Sequence, residues 1–174
     1  NKVEEKLSPE ATYERVKQLD AEKGLVWLAP SDANNTYALA MRENHAESLG
    51  ITSISDLARV INEGNALTLA SNLTLSALDD EEVDVAMTTA TNGRIPALDL
   101  TVLEDDKAFF PDYALTPVVR QETLEAHPEL ADQMNRLSAL LNDATMAELN
   151  SHVDVERESI EDVAESFLAE NDLL

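Results

Sequence analysis

Three histidines, His45, His127 and His152, are the residue types best suited to acid–base or metal chemistry in this chain. They stand far apart, none has a partner ligand at zinc spacing, and no HExxH pair occurs. Each reads as a surface or loop histidine. Gly24, Gly50, Gly64 and Gly93 are too scattered to build a phosphate-cradling loop. The run Glu104-Asp105-Asp106 offers oxygen ligands to a hard cation but lacks the spacing of a calcium loop, and in so acidic a chain it reads first as a solvated turn. With 35 acidic side chains spread over 174 residues, no pair of carboxylates stands out for acid–base work. Cysteine is absent, which excludes disulfides, thiolate metal sites and cysteine nucleophiles. The expectation is no catalytic residue, no metal and no cofactor, and a protein that is not an enzyme.

The aromatic residues carry more information, because they make up only 4% of the chain. Tyr37 ends the polar turn Asn34-Asn35-Thr36-Tyr37 and enters a strand. Tyr113 ends Phe109-Phe110-Pro111-Asp112-Tyr113, a stiff aromatic turn that also enters a strand. Both stand at loop-to-strand junctions, where α/β proteins place ligands. The competing reading is that the two rings pad the edge of a core.

Those junctions need elements to hold them. Ser8-Pro9-Glu10 opens a helix with a capping hydroxyl, a proline in the first turn and an acid. Tyr13, Val16 and Leu19 give that helix one apolar face, up to Gly24. Strands are expected at 25–28, 36–41, 66–70, 83–87, 98–103 and 114–119. Ser53 to Asp56 offers caps for a helix around 57–61 that Gly64 stops, and 73–78 reads as a short helix. The last fifty or so residues read as helical, around 130–141, 143–149 and 159–168. Ser159 with Asp162 resembles a capping box. Strands alternating with helices, followed by helices, form an α/β pattern.

At these same residues the chain resembles the substrate-binding proteins of osmoprotectant (glycine betaine, carnitine and choline) ABC importers. The resemblance is carried by Ala-Pro-Ser-Asp-Ala-Asn-Asn-Thr-Tyr-Ala-Leu-Ala at 29–40 and Gly-Ile-Thr-Ser-Ile-Ser-Asp-Leu-Ala at 50–58. Glu-Val-Asp-Val-Ala at 82–86 with Asn-Gly-Arg-Ile at 92–95 is similar to the family's "VDVA … TDGRI". The stretch VLEDDKAFFPDYALTPVVR at 102–120 is the strongest match, and LNDATMAELNSHVDVERESIEDVAESFL at 141–168 looks like the family's closing helices.

The resemblance implies a type II periplasmic-binding-protein-like fold, two α/β lobes around a ligand cleft, partial as it stands here. It implies a crossing helix and strand over 1–30, a second lobe over 31–110 with an internal gap near 72–73, and a return to the first lobe over 111–174. The gap falls where the family carries an "RPDGL" segment, and the chain starts inside the family pattern, after its first βαβ region. The implied function is an extracytoplasmic protein, periplasmic or lipid-anchored, that hands a compatible solute to an ABC permease during osmotic stress. A trimethylammonium group has no N–H to donate and is held by aromatic faces. Tyr37 and Tyr113 resemble two positions of the family's aromatic cage, and Asn35 resembles a polar ligand contact. Leu75 stands where the family's "LTYQAL" has tyrosine. That departure keeps open an alternative, a ligand-free structural or sensory domain derived from the same fold. The partners implied are a small quaternary-ammonium solute and the permease, with the protein acting as a monomer.

The formal charge of −23 rules against nucleic acid as a partner, since 12 basic side chains cannot neutralise a row of phosphates in such a field. It rules equally against docking on anionic lipid. No apolar run reaches the length that spans a bilayer. So acidic a composition fits a high-salt habitat, where salt screens the repulsion among carboxylates, and it also fits a protein kept soluble by its charge. The high-salt reading predicts that melting temperature rises as salt goes from millimolar to molar; a melting point that ignores salt would remove it.

Overall fold

The computed structural model describes residues 7–70 and 75–174. The chain divides into two compact units, one made of the chain up to Asp32 with Ala114–Leu141, the other of Ala33–Tyr113 with Asn142–Leu174.

The first unit begins with helix α1, Pro9–Ala21, where the Ser8 side chain accepts the Ala11 N–H as the cap expected of it. Strand β1, Leu25–Trp27, pairs antiparallel with β6, Val118–Arg120, with Trp27 opposite Val118. The pairing was expected to start at 114, but Pro117 has no N–H to give a ladder. Only carbonyls serve there: Leu28 N–H donates to Pro117 O and Ser31 N–H to Leu115 O. Helix α1 is tied to β1 by side chains. The Tyr13 hydroxyl donates to Leu28 O at 2.8 Å, and the Tyr13 ring meets Trp27 edge-on at 6.0 Å. Trp27 Nε1 donates to Asp20, whose carboxyl is held below its usual value by Lys23 first and Trp27 second. Helices α6, Gln121–Ala126, and α7, Glu129–Ser138, complete the unit. Asn135 of α7 accepts the Ala29 N–H.

The second unit is built on a four-stranded mixed sheet of order β3-β4-β2-β5. Strand β2, Tyr37–Arg42, pairs antiparallel with β4, Val85–Thr89, and with β5, Leu100–Val102, while β3, Leu69–Ala70, runs parallel to β4. Successive side chains of a strand point to opposite faces, and this alternation separates two cores. Met41 and Val85 pack with Ala46, Ile51, Leu57, Val60 and Leu103, under helices α2, Glu43–Leu49, and α3, Ile54–Asn62. Ala40 and Ala86 pack with Leu75, Leu78, Ile95 and Leu100, under α4, Leu75–Asp79, and α5, Arg94–Ala97. The expected helix at 73–78 is found from Leu75; its first two residues, and the gap near 72–73, lie outside the described residues.

Helices α2, α5 and α6 have no counterpart among the elements expected from the sequence. All three are short and bury one side chain or none, so no apolar stripe announces them. Tertiary contacts set their limits instead: Glu43 N–H donates to Asp99 O, and Gly50, at φ 62, closes α2 in a left-handed cap that a side chain would strain. The next motif residues form a complete capping box. The Ser53 hydroxyl accepts Asp56 N–H, and Asp56 Oδ2 accepts from the backbone and hydroxyl of both Thr52 and Ser53.

The last two helices, α8, Asp143–Asp154, and α9, Ile160–Glu170, group with the second unit. The sequence implied that everything from 111 onward returns to the first lobe; by contacts, only Ala114–Leu141 of that stretch groups with the first unit. The reason lies in Gly93. A Cβ there would sit 2.5 Å from Ser151 N and 2.6 Å from Asn150 C, so bare backbone lets α8 lie against α5. Asn150 adds a hydrogen bond from Nδ2 to Thr91 O at 2.8 Å.

Two outcomes follow. Gly93→Ala forces backbone against backbone and should destabilise the protein by about 1–3 kcal/mol, the usual range for overpacking, in denaturant titration. Hydrogen bonds from Ser53 and then Thr52 hold the Asp56 carboxyl at about 2, below its ordinary 3.8. A depressed carboxyl stabilises the fold above its unfolded value and stops doing so as pH falls through the folded one. Asp56→Asn should therefore be less stable than the parent at neutral pH, and the gap should close between pH 4 and 2; a gap independent of pH would refute the assignment.

Candidate functional site

The residues singled out from the sequence lie in two turns of the second unit. The first, 33–36, leads into β2; the second, 105–113, follows β5. Three links join them. Asn34 Oδ1 accepts the Tyr113 N–H at 2.7 Å. The Thr36 hydroxyl donates to Pro111 O at 2.6 Å. The Tyr37 ring packs on Phe110, with centroids 6.4 Å apart and planes tilted by 50°. Phe109 meets Phe110 edge-on at 5.2 Å.

Tyr37 and Tyr113 both face solvent, at 47% and 55% exposure. Each keeps about half of its surface open, so a ring resting on the edge of a core still has area to offer a ligand. Asn35 is also exposed, and its Oδ1 accepts the hydroxyl of buried Thr91 at 2.7 Å. Thr91 in turn offers its carbonyl to Asn150 of α8. The two turns thus come together with all three expected residues. The ring that meets Tyr37 is Phe110 rather than Tyr113.

Phe110, Asn34, Thr91 and Asn150 were not singled out from the sequence. Phe110 had a visible signal, as one of three phenylalanines in the chain and placed before a proline. The other three had none, because their roles depend on partners 56 to 109 residues away.

The acidic run beside the site has a structural role. Asp105 Oδ2 accepts the Phe110 N–H at 2.8 Å, and Asp106 Oδ1 accepts the Ser55 N–H at the start of α3. Hydrogen bonding from Ser55, its side chain first and its backbone N–H after, holds the Asp106 carboxyl below its usual value. Two of the three acids are therefore anchors, where the sequence suggested a solvated turn. Ala108, between them and the aromatics, adopts a left-handed φ of 49°, which bends the turn. Of the histidines, His45 lies between the Arg42 guanidinium and Asp84, at 3.2 and 3.3 Å, and His127 lies 3.5 Å from Glu129.

The chain is 39% identical to the glycine-betaine-binding protein of Pseudomonas aeruginosa, over all of this chain and 68% of that one. It is 30% identical to the glycine betaine-binding protein YehZ of Escherichia coli, over 90% of this chain and 64% of that one. It therefore spans about two thirds of the length of these curated relatives. The Pseudomonas alignment runs over 212 positions against 174 residues here, so that relative carries residues inside the match with no counterpart in this chain. Among solved structures, a glycine betaine/carnitine/choline ABC transporter protein superposes with a TM-score of 0.87 at 28% identity, covering 95% of this chain and 71% of that one. Apo YehZ from E. coli superposes with a TM-score of 0.82. The fold is that of a periplasmic substrate-binding protein, mixed α/β as the alternation of elements indicated.

Substrate-binding proteins of ABC importers act outside the cytoplasm beside a membrane permease, and they are not enzymes. Among the described residues, no helix is long and apolar enough to cross a membrane. With residues 7–74 and 59–170 both matching it, this chain belongs to the OpuAC family, the substrate binding domain of the ABC-type glycine betaine transport system.

Proposed function

We propose that this chain takes up a quaternary-ammonium compatible solute outside the cytoplasm, glycine betaine or carnitine ahead of choline, for a membrane permease to import in osmotic stress. The observation that carries the reading is the pair of stitched turns, which offers the rings of Tyr37 and Tyr113 to solvent on a backbone that cannot splay. A trimethylammonium group is stabilised over an aromatic face by roughly 0.5–2 kcal/mol, and more as water is excluded. Phe110 holds the Tyr37 ring in place.

Asn35 supplies the polar end. With its carbonyl oxygen occupied by Thr91, it has its NH2 group to offer, and an N–H donor suits a carboxylate. Glycine betaine and carnitine each carry a carboxylate, whereas choline carries a hydroxyl. Both turns come from one chain, so the reading needs only a monomer.

A second reading, the ligand-free structural or sensory domain, draws on Leu75. It stands where the resemblance implies a tyrosine and is wholly buried in the core with Ala40 and Leu78, so it adds no ring to a cage.

Calorimetric titration separates the two. Glycine betaine and carnitine should bind one-to-one, more tightly than choline, with ectoine as a comparison solute. Tyr37→Ala and Tyr113→Ala should each weaken binding about 2- to 30-fold, the equivalent of one cation–π contact. Phenylalanine at either position should lose less, because the ring face remains. Silence with every solute to millimolar concentration would favour the ligand-free domain, and full affinity in both alanine variants would overturn the assignment of the two rings as ligand contacts.

A further inference from the structure

We propose that His152, Glu156 and Glu158 form a binding site for one divalent transition cation of the zinc type. His152 lies in the last turn of α8, and Glu156 follows four residues on, just past the end of the helix, where its N–H donates to Ser151 O at 3.2 Å. The chain then reverses. Arg157 adopts a left-handed φ of 66°, and Glu158 N–H donates back to His152 O at 3.0 Å. This brings the second carboxylate to the same imidazole from the other side. Glu156 Oε2 lies 3.2 Å and Glu158 Oε1 3.3 Å from His152 Nδ1, and all three ligand atoms fall within 4.8 Å of one another.

The spacing suits the chemistry. Two ligands about 2.1 Å from a zinc ion at the tetrahedral angle stand about 3.4 Å apart, close to both nitrogen–oxygen distances here. One imidazole and two carboxylates leave a fourth position for water, as in zinc sites with three protein ligands. The glutamates are about half exposed, with side-chain exposures of 53% and 47%, so they can close on an ion without moving the backbone.

One further feature favours a cation at this place. The C-terminal end of a 12-residue helix carries the negative end of its dipole. An ion held by the imidazole and both glutamates satisfies the two carboxylates at once. The imidazole nitrogen selects against magnesium and calcium, which prefer oxygen ligands alone.

The test is zinc titration of the chelator-treated full chain by calorimetry, with excess magnesium present to occupy loose carboxylate sites. One tight site is expected. His152→Ala and Glu158→Gln should each lower its affinity roughly tenfold or more, since losing a ligand costs at least as much as losing an outer-shell partner. His127→Ala should leave it unchanged, and circular dichroism confirms that each variant is folded. Replacing zinc with cobalt should give the intense visible absorption of a tetrahedral site in the parent and lose it in His152→Ala. Equal zinc affinity in parent and His152→Ala, or no zinc binding by the parent beyond what magnesium abolishes, would overturn the site.

Discussion

Asn34 is the residue on which the second unit's site depends. Its backbone N–H donates to Asp143 Oδ1 at 2.6 Å, its side-chain oxygen accepts the Tyr113 N–H, and its carbonyl accepts the Thr36 N–H. Three stretches of chain, separated by 79 and 109 residues, are thereby fixed at one point. Few side chains could replace it. Its side chain must carry an acceptor to the Tyr113 N–H, and aspartate would do so only by bringing a second carboxylate to a place where Asp143 already stands. Asp143 belongs there for its own reason, as the acid in the first turn of α8.

The sheet converts this junction into a platform. Tyr37 is the first residue of β2, opposite Thr89, and Ala38, Ala40 and Met41 beyond it are buried. The ring is therefore exposed at the end of a strand whose remainder cannot move. Thr91, just past the end of β4, is buried and passes the support of α8 through its hydroxyl to Asn35. Rigid elements position the site, and its contact residues sit on the short connections between them.

How much of this was legible in the sequence depends on the range of the interactions. The Ser8 and Ser53 caps and the Ser159 cap, whose hydroxyl accepts the Asp162 N–H, were readable because capping acts over three residues. The β2 and β4 strands were readable because a run of apolar residues survives burial on both faces. The short helices α2, α5 and α6 were not, since only tertiary contacts make them. Tyr37, Tyr113 and Asn35 could be singled out as rare aromatics and a polar neighbour at loop ends, helped by the family resemblance. Their partners could not, because nothing local marks Asn34 as the tie to Tyr113 or Thr91 as the tie to α8. The grouping of residues 142–174 with the second unit is hidden from local sequence for the same reason. It turns on a glycine valued for the atom it lacks, 57 residues ahead of the backbone that fills the space.

That discontinuity has a consequence for how the molecule is made. The second unit is written in two instalments, with Ala114–Leu141 of the other unit between them. On the ribosome, the sheet and both of its cores emerge before α8 exists. Until α8 arrives, the bare backbone at Gly93, the Thr91 carbonyl and the Asn34 N–H have only water against them. Completion of the aromatic platform thus waits for α8, and a nascent chain halted before Asn142 would carry the rings without the helix that holds them in register.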